Sequence, residues 1–127
     1  MTALDDAAND SRCILLVEDH ADTAAVMSRL LGKLGYLIKV ADSLSQARAM
    51  AREQPCDLLI CDLRLPDGSG LELMRELRQQ RLIPGIALSG MASDEDRRQS
   101  SEAGFEMHLT KPIDFQVLKA AVEEVLH

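Results

Sequence analysis

Apolar residues along this chain fall into short dense runs, and between the runs they return at helical spacing. Residues 14–17 (ILLV) form a continuous apolar stretch, the signature of a strand buried on both faces. Residues 36–40, 58–61, 85–88 and 105–109 read as four more strands. After the first run, Met27, Leu30, Leu31 and Leu34 stand at i, i+3, i+4 and i+7. That spacing predicts a helix over about 21–34 with one apolar stripe, stopped by Gly35. Ser43 with Gln46 reads as a capping box for a helix over 44–53, which Pro55 ends. Leu71, Met74 and Leu77 mark a third helix, over about 70–80. Ser93 caps a fourth over 94–103, closed by Gly104. Asp114 caps the last, whose Phe115, Leu118, Val122 and Val125 form a stripe.

Strand and helix alternate five times. That order predicts an α/β fold: a doubly wound, five-stranded parallel sheet with helices on both faces and right-handed crossovers. One helix departs from the pattern. Between Ala92 and Ala103 there is no apolar side chain (SDEDRRQSSE), so it has little to bury and is expected to be short or mobile. Pairs such as Asp94 with Arg98 add only about 0.2–0.5 kcal/mol each.

The length of 127 residues suits one domain with a real core and no need for disulfides or structural metal. Residues 1–11 are acidic and polar and read as a loose tail, leaving 12–127 as the domain. They lack the basic start and apolar middle of a signal peptide, and no run of 18 apolar residues follows, so the expected location is the cytoplasm. The net charge of −7 argues against nucleic-acid or anionic-membrane binding by bulk electrostatics. The few aromatics, Tyr36, Phe105 and Phe115, are not interleaved with Lys/Arg clusters. Cys13, Cys56 and Cys61 form no C-x-x-C pair and read as small buried hydrophobes in a reducing compartment.

The polar residues at the strand ends carry the chemistry. The first strand ends in Glu18 and Asp19, the third in Asp62, the fourth in Ser89, the fifth in Thr110 and Lys111. In a parallel sheet these ends share one edge, where open α/β sheets bind ligands. If the first and third strands are neighbours, at about 4.8 Å, the three carboxylates converge. Two unit charges 4 Å apart repel by about 4 kcal/mol at an effective dielectric of 20, so a proton or a cation must offset them. A few carboxylate oxygens suit Mg²⁺, which favours phosphate as a further ligand. With Lys111 and the Ser89 hydroxyl, the set reads as a phosphoryl site. Asp62, on the middle strand, is the candidate nucleophile, and Glu18 and Asp19 are metal ligands.

These residues sit in the runs ILLVED, LLICDLRLPDGSGLEL, ALSG and HLTKP, which in this order resemble the receiver (CheY-like) domain of two-component response regulators. The resemblance covers roughly residues 12–126. It implies a flavodoxin-like sheet of order 2-1-3-4-5. It implies that Asp62 accepts a phosphoryl group from a histidine kinase or a histidine phosphotransfer protein. Mg²⁺, with Mn²⁺ as the alternative ion, would be held by Glu18, Asp19, Asp62 and the backbone carbonyl of Arg64. Ser89 and Lys111 would bind phosphate oxygens, and the Lys111–Pro112 bond would be cis. The fourth helix, fifth strand and fifth helix would signal to a downstream protein that the sequence does not identify. His108 stands three before Lys111, where Tyr or Phe is the usual switch residue. The run AGFEMHLTKPID looks like receivers attached to hybrid sensor kinases. Arg64 and Met91, two residues beyond Asp62 and Ser89, flank the site.

On this reading the chain is no enzyme beyond its own phosphotransfer and autodephosphorylation. A haloacid-dehalogenase-type phosphatase would need an acid two residues after the nucleophile, where this chain has Arg64. The other alternative is an unphosphorylated interaction module on a receiver scaffold. His20 reads as a loop residue, and Gly68 with Gly70 lacks the rest of a Walker or dinucleotide motif.

Overall fold

The computed structural model describes residues 12–90 and 93–127. The tail read over 1–11 and the flanking residue Met91 lie outside the described residues.

The chain runs β1 (Cys13–Val17), α1 (Ala21–Gly32), β2 (Leu37–Ala41), α2 (Leu44–Glu53), β3 (Leu58–Asp62), β4 (Arg64–Leu65), β5 (Gly68–Ser69), α3 (Gly70–Gln80), β6 (Gly85–Ser89), α4 (Asp94–Ala103), β7 (Met107–Thr110) and α5 (Phe115–Leu126). Five strands form a parallel sheet in the order β2-β1-β3-β6-β7, which is the expected 2-1-3-4-5 order of the long strands. The three central strands are buried at every position. Because strand side chains alternate faces, Leu15, Val17, Leu59, Cys61 and Ala87 pack with α2 and α3. Ile14, Leu16, Leu58, Ile60, Ile86 and Leu88 pack with α1 and α5. Continuous apolar runs are what a sheet covered on both faces requires. Among the described residues no helix is long and apolar enough to cross a membrane.

Several boundaries differ from the sequence reading by a residue or two. The first helix ends at Gly32, and a tighter turn carries the chain to Gly35, whose φ of 101° is open to glycine. The second strand begins at Leu37 rather than Tyr36. The fifth long strand begins at Met107 rather than Phe105, because the Phe105 N–H donates to Ser100 O (3.0 Å) and holds that residue at the end of α4. Phe105 is nevertheless core.

The helix that buries least is not shortened: α4 runs ten residues. It buries only Ser100 and Ala103, so its ends and surface hold it. The Ser93 hydroxyl accepts from Asp96 N (3.1 Å) and donates to Asp96 Oδ2 (2.6 Å). Arg98 bridges Glu95 and Glu102, each at 2.5 Å. The first turn carries Asp94, Glu95 and Asp96, favoured by the positive end of the helix dipole.

The loop after Asp62 holds an antiparallel ribbon, β4 with β5, that the sequence reading did not contain. Its Asp67 reaches the start of α2, accepting from Leu44 N (2.8 Å) and Ser45 N (3.0 Å). Those bonds hold its carboxyl below the usual range. The capping box is shifted as well: Gln46 N donates to Ser43 Oγ (3.2 Å), while Gln46 Oε1 accepts from Asp42 N (2.7 Å) rather than from Ser43.

Candidate functional site

β1 and β3 are neighbours, and both end on the same edge of the sheet. Val17 pairs with Cys61, so Glu18 and Asp62 each follow a matched position. Both acids are even-numbered and emerge on the α1/α5 side. Glu18 is 1% exposed and Asp62 5%.

Lys111 offsets their charge. It follows β7, and its N–H donates to Ser89 O (2.8 Å), which fixes its backbone. Its Nζ donates to Asp62 Oδ2 at 2.6 Å and to Glu18 Oε1 at 3.0 Å. The Lys111–Pro112 bond is cis, as the resemblance implied. One cation thus serves two buried carboxylates. Burial works against ionisation of Glu18, but hydrogen bonds from Lys111 and His20 outweigh it and bring its pKa down to about 2. Burial wins at Asp62 and pushes its pKa up, against the hydrogen bonds from Lys111 and Arg64 N, with the Glu18 charge adding to the rise. Burial opposes the charge on Lys111 too, yet its two partners raise its pKa.

Arg64 enters the site by its backbone, its N–H donating to Asp62 Oδ1 at 3.1 Å, while its side chain is exposed. Each Asp62 oxygen therefore has a protein donor among the described residues. Asp19 stands apart: its Oδ1 is buried and accepts no hydrogen bond among the described residues. An orphaned carboxylate oxygen beside two buried carboxylates is what a cation would satisfy. One ligand atom from each of Glu18, Asp19, His20 and Asp62 lies within 4.8 Å of the others, so the cluster can hold a metal ion.

His20 is the residue that the sequence reading left out of the site. Its Nδ1 lies 3.0 Å from Glu18 Oε2 and 3.5 Å from Asp19 Oδ1. Its backbone N–H also donates to Glu18 Oε2, at 3.2 Å. The available signal was the run Glu18-Asp19-His20 itself, three ligand-type residues in succession at a strand end.

Ser89 is buried, one residue beyond Leu88, the register partner of Asp62. Strand alternation puts it on the side of Ala87, and it lines an opening of about 450 Å³ with Leu63, Arg64, Ser69 and Gln99. Lys111 and His20 line another, a groove of about 710 Å³ with Thr23, Val26 and Ile113. His108 is half-buried on β7, its Nδ1 3.2 Å from Ser100 Oγ on α4.

An alternating β/α sheet of this order, with acids at the ends of β1 and β3 and a lysine after β7, defines a CheY-like receiver fold. Residues 14–123 match the response regulator receiver domain, and the chain belongs to that family. It is 35% identical over 104 residues to a 14.6 kDa protein of Leptolyngbya boryana, covering 80% of this chain and 79% of that protein. It is 33% identical over 113 residues to the TorCAD operon transcriptional regulatory protein TorR of Escherichia coli O157:H7, covering 89% of this chain and 49% of TorR. Against the sensor histidine kinase RcsC of Salmonella typhimurium it is 30% identical over 112 residues, covering 87% of this chain and 12% of RcsC. It thus spans about half of the one and a small part of the other. Among solved structures, the non-phosphorylated HemR receiver domain of Leptospira biflexa is 28% identical with a TM-score of 0.86, covering 91% of this chain and 94% of that one. A CheY-like receiver domain protein of Methanospirillum hungatei is 27% identical with a TM-score of 0.85, covering 91% and 93%.

Proposed function

We propose that Asp62 is the phosphoacceptor of this receiver, taking a phosphoryl group from a phosphohistidine on a histidine kinase or a histidine phosphotransfer protein. The observation that carries this reading is the buried Asp62 carboxylate with Lys111 Nζ 2.6 Å away, beside an Asp19 oxygen that accepts no hydrogen bond among the described residues. An Asp62 oxygen attacks phosphorus, the P–N bond to the donor imidazole breaks, and that nitrogen keeps the electron pair and takes up a proton. Lys111 turns from the carboxylates to the phosphoryl oxygens, and the Ser89 hydroxyl donates to another. Glu18, Asp19 and Asp62, with the Arg64 carbonyl, would hold Mg²⁺ or Mn²⁺. When bound, the ion neutralises charge on the transferring group. The protein's chemistry ends with this transfer and with hydrolysis of its own acyl phosphate; it turns over no other substrate.

Drawing Ser89 and Lys111 toward the phosphate biases the α4–β7–α5 face as a population shift. His108 ties β7 to α4 through Ser100 and takes the place of the switch residue. The match to the sensor histidine kinase RcsC is in keeping with a histidine-kinase relay as the donor, with the output protein reading the same face.

The test is intact-mass measurement after incubation with acetyl phosphate. A gain of about 80 Da, one phosphoryl for one proton, that requires Mg²⁺ and is absent from Asp62→Ala supports the reading. No gain, with beryllofluoride also leaving the spectra unchanged in Mg²⁺, would overturn it in favour of an unphosphorylated interaction module.

A further inference from the structure

His20 is the N-cap residue of α1, yet its side chain makes no capping hydrogen bond. N-caps are commonly Ser, Thr, Asp or Asn, whose oxygens satisfy the free N–H groups of the first turn. Here the side chain turns the other way, into the acidic cluster. We propose that His20 Nδ1 is a metal ligand, and that with Glu18, Asp19 and Asp62 it makes a mixed nitrogen–oxygen site selecting a first-row transition divalent ion over Mg²⁺. The inference rests on reading the acidic cluster as this receiver's metal site.

The distances fit one coordination shell. Ligands about 2.0–2.1 Å from an ion stand about 3.0 Å apart along an octahedral edge and about 3.4 Å along a tetrahedral one. His20 Nδ1 is 3.0 Å from Glu18 Oε2 and 3.5 Å from Asp19 Oδ1. The four ligand atoms span no more than 4.8 Å, against about 4.2 Å between opposite ligands of an octahedral ion with bonds of about 2.1 Å. The shell would need little closing. The imidazole and Glu18 Oε2 hold each other at a ligand–ligand separation, and Asp19 Oδ1, which accepts no hydrogen bond among the described residues, lies 3.5 Å from the same ring nitrogen.

Ligand type sets the selectivity. Mg²⁺ takes hard oxygen ligands and keeps much of its water, so an imidazole gains it little. Co²⁺, Ni²⁺ and Zn²⁺ bind imidazole well. His20 also lines the groove that Lys111 borders, so the ring can be reached from solvent.

Carboxylate sites already favour transition ions to a degree, so the test is whether the preference depends on His20. Binding of Co²⁺ and of Mg²⁺ is measured separately by calorimetry on the wild type, His20→Ala and His20→Gln, with the visible absorption of bound Co²⁺ followed in parallel. The expected result is a loss of about tenfold or more in Co²⁺ affinity in both variants, with a changed Co²⁺ spectrum. Mg²⁺ affinity should hold in His20→Ala or rise, because Glu18 is released from its hydrogen bond. Opposite responses of the two ions separate ligation from misfolding, which would weaken both together. Co²⁺ affinity and spectrum indifferent to His20, or an equal loss for both ions, would overturn the inference. In that case Mg²⁺ binding and the acetyl-phosphate mass gain of the wild type would still stand for the receiver reading. A wild type that binds neither ion would overturn both.

Discussion

Gly70 lies against the backbone of Asp62: a Cβ at position 70 would sit 2.5 Å from the Asp62 carbonyl oxygen and 2.8 Å from Cys61 Sγ. The first turn of α3 is thus pressed onto the end of β3, and the Gly70 N–H donates to Leu63 O at 3.1 Å. Neither neighbour is the loose end of a flexible chain. Gly70→Ala is expected to lower stability by about 1–3 kcal/mol through overpacking and to shift the Asp62 carboxylate. Thermal unfolding of the variant checks this, and an unchanged midpoint would count against the close fit.

The two buried carboxylates titrate in opposite senses, and so do their contributions to stability. The folded pKa of Asp62 is raised, so its charge costs stability at neutral pH, and the cost fades as pH falls through that pKa. The folded pKa of Glu18 is about 2 against an ordinary 4.5, so its contribution is present above pH 4.5 and lost as pH falls toward 2. In EDTA at pH 7, Asp62→Asn should unfold at higher temperature than the wild type, by on the order of 1 kcal/mol, with Lys111 keeping Glu18. Glu18→Gln should unfold at lower temperature, its deficit shrinking as the pH drops below 4.5. Melting curves at pH 7 and pH 3 decide both signs.

The hydrogen bond to Glu18 raises the pKa of the His20 imidazole above its ordinary 6.5, helped by the charge of Asp19. Any stabilisation it brings is complete below pH 6.5 and is lost as pH rises through the folded pKa. Proton NMR titration in EDTA should show His20 titrating above the ordinary value, and Glu18→Gln should bring it part of the way back, the Asp19 charge remaining. An ordinary value in the wild type would mean that the ring does not rest on Glu18 in solution.

Because α4 buries so little, Ser93 carries a large share of its local order. Ser93→Ala should cost about 1 kcal/mol of helix stability. The loss should appear as faster amide exchange across 94–103, with the core strands unchanged. Uniformly faster exchange would mean that α4 unfolds only with the whole domain.

The pattern of the chain specified the sheet because a strand covered on both faces needs a continuous apolar run, and β1, β3 and β6 have one. It also put Glu18, Asp19, Asp62 and Lys111 on one edge, since strand ends in a parallel sheet face the same way. The ribbon of Arg64–Leu65 with Gly68–Ser69 was not legible, because strands of two residues leave no period to read. Nor was the bond from Asp67 to α2, which joins positions 22 and 23 residues apart across a crossover. His20 was missed for a related reason: at an N-cap the backbone, not the side-chain period, decides where the ring points. The edge that Ser89 occupies follows from its place at a strand end, whereas its side of the sheet depends on the pleat, which a register of Asp62 with Leu88 sets.

All three thiols are buried among the described residues. Burial pushes the Cys13 pKa up, that of Cys56 up to about 11, and that of Cys61 further still. In the folded protein they are shielded and protonated, and so unreactive toward alkylating reagents. Cys61 sits directly beneath the phosphoacceptor candidate, its Sγ donating to the Asp62 carbonyl at 3.1 Å. The rate at which a thiol reagent consumes Cys61 therefore counts openings of the sheet at that point, an intrinsic clock for how firmly any ion or phosphoryl group locks the site shut.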